Sequence, residues 1–272
     1  MMLSLALSIP IGDLMKSFLT MTWTNLLAVV FCSCFLASSV MAQEANTAVA
    51  TNETNDRCVW CPAGYFDSLK VELTKQWPKN RMVRFVFHGH SVPAGYFATP
   101  VVRTFDSYPD LFHQRIGDAF PTAVIDVSVT AIGGEQSEAG NRRFATDVMT
   151  LRPDVVFIDY AMNDRRLGLD RSKSAWREMI QTCVDADVRV VLLTSTPTSQ
   201  ENILNDDAKL AQHARQIREL AAEFDVPLVD SYARFKQLVA GGNETEDYLS
   251  HPVHPNRAGH EVVADLLTRL FE

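Results

Sequence analysis

Four short stretches of this chain carry side chains able to act together on one acyl group. Ser91 ends the apolar run Phe85-Val86-Phe87-His88-Gly89-His90 and opens the small-residue turn Val92-Pro93-Ala94-Gly95-Tyr96. A strand that stops at a glycine leaves the next side chain at the sheet's carboxyl edge, where open α/β sheets place their ligands. A hydroxyl there becomes a nucleophile once a base takes its proton, and His254, in His254-Pro255-Asn256 near the C-terminus, is the matching imidazole. Between them lie Ala131-Ile132-Gly133-Gly134-Glu135, whose glycines let the backbone turn its N–H groups outward, and Ala161-Met162-Asn163-Asp164. The chemistry such a set could do is serine-based hydrolysis.

The elements that must position these residues are legible as alternating patterns. Apolar runs rich in Val, Ile, Leu and Phe predict five strands at about Met82 to His88, Ala123 to Val129, Asp154 to Tyr160, Val188 to Thr194 and Pro227 to Asp230. Helical patterns separate them: Ser107 to Ala119, Gln136 to Leu151, Lys173 to Asp185, Asp206 to Phe224 and Arg257 to Phe271. A further helix, Ala63 to Gln76, precedes the first strand and is closed by Pro78. This alternation implies βα units, a parallel sheet and an α/β fold class. All four chemistry-bearing stretches fall just past strand ends or just ahead of the last helix.

Of the 272 residues, 47% are apolar and 21% charged, which fits one globular domain with a sizeable core. Net charge is −8, and no basic cluster exceeds the pairs Arg142-Arg143 and Arg165-Arg166, which argues against nucleic acid as a partner. Residues 1–42 are set aside as a signal peptide: Leu26 to Leu36 is an apolar core, Ser38-Ser39-Val40-Met41-Ala42 ends in a peptidase site, and Met15-Lys16 offers an alternative start. The apolar core is short against the ~20 residues of a membrane span, so a secreted or periplasmic protein is expected, without stable membrane association after cleavage near Ala42. Residues 43–62 read as a polar linker and 63–272 as the domain. The linker ends in Cys58-Val59-Trp60-Cys61, for which a local disulfide is expected, with half a metal site or a redox pair as alternatives. Cys183 reads as a buried small apolar residue.

Taken together, the four stretches resemble the SGNH, or GDSL-like, hydrolases. The first block of that family is similar to Gly89-His90-Ser91, the second to Gly134, the third to Asn163-Asp164 and the fifth to His254-Pro255-Asn256, over roughly Arg81 to Glu272. The resemblance implies a three-layer α/β/α, flavodoxin-like fold with a five-stranded parallel sheet. It implies Ser91 as nucleophile, His254 as base, and an oxyanion hole from the N–H groups of Ser91 and Gly134 with the Asn163 amide. It also implies a carboxylic-ester hydrolase working without a cofactor. Tyr96, Asp164 and Arg165 are the expected substrate contacts, and Phe97 and Tyr160 flank the same place.

Two positions depart from the family pattern. His90 stands where an Asp usually precedes the nucleophile, and His251 stands where an Asp usually lies three residues before the catalytic His. Without that second carboxylate, His254 must be oriented otherwise: by a backbone carbonyl in a Ser-His dyad, which is the preferred expectation, or by Asp247 or Glu246 from the preceding loop. His88, His90, His251, His254 and His260 lack the interleaved carboxylates of a hydrolytic metal centre, so no metal is expected. Export and the lack of an apolar lid helix point to O-acetyl groups on carbohydrate. A catalytically silent carbohydrate-binding module on the same scaffold is the alternative.

Overall fold

Alternation along the strands builds two hydrophobic layers at once. In the computed structural model, which describes residues 58–272, the chain runs through β1 (Val59–Trp60), α1 (Asp67–Leu73), β2 (Met82–Gly89), β3 (Tyr96–Ala98), β4 (Val101–Val102), α2 (Tyr108–Ala119) and β5 (Val124–Val129). It continues with α3 (Ser137–Asp147), β6 (Val155–Asp159), α4 (Ala161–Asp164), α5 (Leu169–Asp185), β7 (Arg189–Leu193), α6 (Lys209–Phe224) and β8 (Leu228–Val229). Last come α7 (Ser231–Ala240), β9 (Leu249–His251), β10 (His254–Pro255) and α8 (Arg257–Arg269). Successive strand residues point to opposite faces. Val83, Phe85, Phe87, Val155, Phe157, Val191 and Leu193 therefore join one buried cluster with α2, α8 and α1, while Val86, Val156, Ile158, Val190 and Leu192 join the other with α3 and α5. That accounts for β6 and β7 reading as near-continuous apolar runs: both faces are covered.

The sheet order is β1-β8-β7-β6-β2-β5. The five expected strands all pair in parallel, and their order matches the flavodoxin-like arrangement, with β2 flanked by β5 and β6. The chain reverses direction along the sheet at β2, so its carboxyl end, followed by Ser91, is the topological switch point.

Three features differ from the sequence expectations. The segment taken as the end of a linker is a sixth, antiparallel edge strand: Val59 pairs with Val229 and Trp60 with Leu228, and Cys58 is buried. Cys58 and Cys61 flank this extended strand and are both thiols, with no disulfide between them. Second, Ser231–Ala240 is helical, capped by the Asp230 side chain accepting from the Ala233 N–H at 3.1 Å; it lies directly after a two-residue strand, too short to punctuate the pattern. Third, two small antiparallel ribbons, β3–β4 and β9–β10, stand outside the main sheet. The proposed signal peptide and residues 43–57 lie outside the described residues. Among those described, no helix is long and apolar enough to cross a membrane.

Candidate active site

The turn after β2 is set by close backbone packing. A Cβ on Gly89 would lie 2.4 Å from the Asp159 carbonyl and 2.9 Å from Pro93, so only glycine lets β2 and β6 end side by side here. Ser91 follows, 7% exposed, and its carbonyl accepts the Tyr96 N–H at 3.1 Å, which starts the β3–β4 ribbon. At the other end of the chain, β10 delivers His254, 5% exposed. Its Nε2 lies 3.0 Å from Ser91 Oγ across 163 residues of sequence. The two ribbons hold each other in place, since Ser250 Oγ donates toward the Phe97 carbonyl at 2.9 Å and toward the Pro255 carbonyl at 3.0 Å.

The second and third stretches are drawn to the same rim. Tyr96 packs beside His254 with ring centroids 5.9 Å apart, and on its other side it lies so close to Gly133 that a Cβ there would fall 2.9 Å from the ring. Gly134 takes φ +78°, a left-handed conformation suited to glycine. The Asn163 amide donates to the Glu135 carbonyl at 3.0 Å, and the Gln136 amide donates back to the Asn163 carbonyl at 3.3 Å. Gly134 and Asn163 are thus tied within one interlocked pair of loops. Among the described residues no acceptor engages the Ser91 or Gly134 N–H. The arrangement can therefore offer donors to a negative oxygen while His254 holds the Ser91 proton.

Beneath the Gly134 loop sits a polar network that sequence reasoning missed. Arg143 clamps Glu135 with two of its nitrogens, the Tyr160 hydroxyl donates to Glu135 at 2.8 Å, and His88 Nε2 lies 3.0 Å from that hydroxyl. Gly140 is obligatory, for a Cβ would meet the Tyr160 oxygen at 2.2 Å. Burial pushes the His88 imidazole down to about 4 and leaves it neutral, and the nearby Arg143 charge acts in the same sense. The signal available in sequence was only the eight-residue gap between Glu135 and Arg143, which no periodicity singles out.

Electrostatically, His254 is poised as a free base. It is lowered to about 4, by burial first and then by the imidazoles of His251 and His90, with the Phe97 carbonyl opposing them. His251 stacks on it with centroids 4.9 Å apart and planes 26° apart. Nδ1 of His254 meets no acceptor in full hydrogen-bonding geometry, so the Phe97 carbonyl is the group that favours its protonated form from the protein.

Several expected contacts are corrected by this geometry. Asp247 does not reach His254: its carboxylate accepts the Glu244 N–H at 2.9 Å in a capping box on the 3-10 turn Thr245–Tyr248, and both Asp247 and Glu246 are exposed. A carboxylate that close to an N–H of its own turn is held locally. Asp164 is not a substrate contact but a buried strut, accepting from the Ser137 N–H and from Trp176 Nε1, each at 2.9 Å. Arg165 is spent on Glu201 at 2.8 Å and on the Met162 carbonyl. Tyr160 is fully buried and cannot stack on a ligand. Phe97 lies under the Arg103 guanidinium, 3.8 Å from ring centroid to Cζ.

The fold and the rim define a three-layer α/β/α protein of SGNH type, with a serine and a histidine in contact at the switch point. Residues 87–262 match the GDSL-like Lipase/Acylhydrolase family, more than half of the chain, and the protein belongs to that family of ester-bond hydrolases. Among solved structures it is similar to a two-domain esterase (CEX) active on acetylated mannans, at 20% identity and a TM-score of 0.63, covering 76% of this chain and 52% of that one. It is also similar to Axe2, an acetylxylan esterase from Geobacillus stearothermophilus, at 21% identity and a TM-score of 0.61, covering 70% of this chain and 94% of that one. At these identities the likeness shows the fold. A curated relative, the uncharacterized lipoprotein YqeF of Bacillus subtilis, is 26% identical over 151 residues, 46% of this chain. The chain spans about half the length of the two-domain esterase and 62% of YqeF.

Proposed function

We propose that this protein is an exported serine esterase that removes short acyl groups, acetyl first among them, from carbohydrate. The observation that carries the reading is the 3.0 Å contact between Ser91 Oγ and His254 Nε2 at the sheet's carboxyl rim. In the proposed reaction His254 takes the Ser91 proton as Oγ attacks the ester carbonyl, and the oxyanion is met by the N–H groups of Ser91 and Gly134 and by the free N–H of the Asn163 amide. Each such donor is worth about 3–4 kcal/mol at the transition state. His254 then protonates the departing sugar hydroxyl, and water repeats the sequence on the acyl-serine.

Tyr96, packed beside His254, offers an aromatic face at the rim on which a sugar ring can rest. The acetylated mannan and acetylxylan named for the structural neighbours support the same substrate class, and the lipoprotein name of the Bacillus relative supports a place outside the cytoplasm.

The test is hydrolysis of p-nitrophenyl acetate and release of acetate from acetylated xylan and mannan by the mature protein, with Ser91→Ala and His254→Ala alongside. Turnover in the parent, lost in both variants, is the expected result. Equal rates in all three proteins overturn it and leave a carbohydrate-binding module, which a pull-down on the same polysaccharides then detects.

A further inference from the structure

The residue before the nucleophile departs from the family pattern, and its surroundings give that departure a purpose. His90 is 1% exposed. Its Nδ1 lies 3.2 Å from the Val92 nitrogen and accepts that N–H. This bond spans the nucleophile, joining the side chain of the residue before Ser91 to the backbone of the residue after it. It is the i to i+2 bond that Asn and Asp side chains make in Asx turns, formed here by an imidazole.

An acceptor Nδ1 carries no proton, so the ring is neutral and its proton sits on Nε2. Nε2 lies 3.3 Å from Asp159 Oδ1. Neither of these buried atoms makes a hydrogen bond in full geometry among the described residues, so at 3.3 Å each is the group placed to relieve the other's desolvation. Asp159 itself is anchored, since its Oδ2 accepts the Tyr108 hydroxyl at 3.0 Å and its backbone is pressed against Gly89. An imidazolium, or the opposite tautomer, would set an Nδ1 proton against the Val92 N–H, two donors face to face in a buried site.

We propose that His90 is a positioning residue for Ser91, locked as the Nε2–H tautomer by Asp159 so that Nδ1 receives the Val92 N–H and fixes the nucleophile turn with the Ser91 N–H turned outward. Asp159 thus acts on the nucleophile through His90 and touches no reacting atom. The proposal rests on the esterase reading for its kinetic consequence, but its structural half does not.

The experiment has two arms. In the first, long-range ¹H–¹⁵N spectra of histidine-labelled protein, with the His90 signals assigned by their loss in His90→Asn, read the tautomer directly. A bare Nδ1 and a protonated Nε2 are expected; a protonated Nδ1 overturns the proposal whether or not the protein hydrolyses any ester. In the second, turnover of an aryl acetate is followed in Asp159→Asn, His90→Asn and the double variant. The amide introduced by Asp159→Asn can donate to Nε2 and drive the proton to Nδ1, so kcat should fall about 10- to 100-fold, the range for a misplaced reacting group, with KM changed less than about twofold. In His90→Asn the side-chain carbonyl accepts the Val92 N–H and has no tautomer to lose. That variant should therefore stay within about threefold of the parent, and the double variant should recover most of what Asp159→Asn lost. Unchanged kcat in Asp159→Asn, or a double variant no better than that single one, overturns the proposal. Should Asp159→Asn fail to fold, His90→Leu decides: it is expected to lose at least tenfold more than His90→Asn, and equal rates sink the idea.

Discussion

Two buried imidazoles stand beside Ser91, and they differ in what lies behind them. His90 has a carboxylate 3.3 Å from its Nε2, whereas His254, the ring in contact with Ser91, has no hydrogen-bond partner at its Nδ1 among the described residues. In serine hydrolases a buried acid on the base histidine fixes its tautomer and stabilises the imidazolium that forms. Here the acid is present at the rim but serves the turn. The lesson is that a buried carboxylate near a nucleophile cannot be assigned by proximity: the nitrogen it faces decides whether it supports proton transfer or backbone geometry.

The largest expected effect separates the two histidines outright. His254→Ala should lower kcat by about 10³-fold or more, leaving what binding and the oxyanion donors supply, while His90→Asn changes it little. Comparable losses in the two variants would erase the contrast.

Next comes the acid strut. Asp164→Ala removes the acceptor for both the Ser137 N–H and Trp176 Nε1. Leaving two buried donors unsatisfied should cost about 2–4 kcal/mol of stability by denaturant unfolding, with KM unchanged in the folded fraction. A raised KM at unchanged stability would restore Asp164 as a substrate contact.

pH sharpens the comparison from both sides. With His254 held down to about 4 by burial, kcat/KM should stay level as pH falls from 7 to about 5 and lose its base only near 4. An acid limb near 6.5 would mean that a carboxylate supports His254 after all. Stability runs the same way. Burial also lowers His88 and His213 to about 4 and His260 to about 3. The unfolded chain takes up these protons near 6.5 and the folded one does not, so stability rises with pH through this window and is lost as pH falls from 6.5 toward 4, by on the order of 1–3 kcal/mol per ring. Rates should therefore be read in short assays, and thermal midpoints over the same pH range check the linkage.

A smaller change should close the gap between the histidines. His251→Asp returns a carboxylate to the place occupied by the ring stacked on His254, and should raise kcat about tenfold while moving the acid limb above 4. The smallest effect is expected of Asp247→Asn, less than about twofold in kcat, because its carboxylate is engaged in a capping box on the surface. A fall of about 10⁴-fold there would make it the missing triad acid.

Much of the fold was legible because it is local. Each of the five parallel strands was readable to within a residue or two, since β6 and most of β2 and β7 are covered on both faces and run largely apolar, while edge strand β5 alternates its valines and isoleucine with Asp126 and Ser128. Edge strand β1 was not, because two residues carry no period, and helix α7 was hidden behind an equally short β8. The stretches that carry Ser91, Gly134, Asn163 and His254 could be placed at strand ends from the pattern, and the roles proposed for those residues came from the family resemblance. The role of Asp164 could not, since a loop Asp beside Asn looks the same whether it faces ligand or Trp176.

By itself the sequence determined the α/β class, the order of the strands in the chain and the four stretches that converge on one rim, because hydrophobic period and turn chemistry act over a few residues. Only the tertiary structure decided which histidine received the carboxylate, that Cys58 and Cys61 stay apart, and that Asp164, Arg165 and Asp247 face other partners than a substrate. Apart from the local capping box that holds Asp247, those outcomes depend on contacts between elements well separated along the chain, as between His90 and Asp159 or Val59 and Val229, where burial leaves each polar atom to be satisfied by whatever the packing brings within about 3 Å.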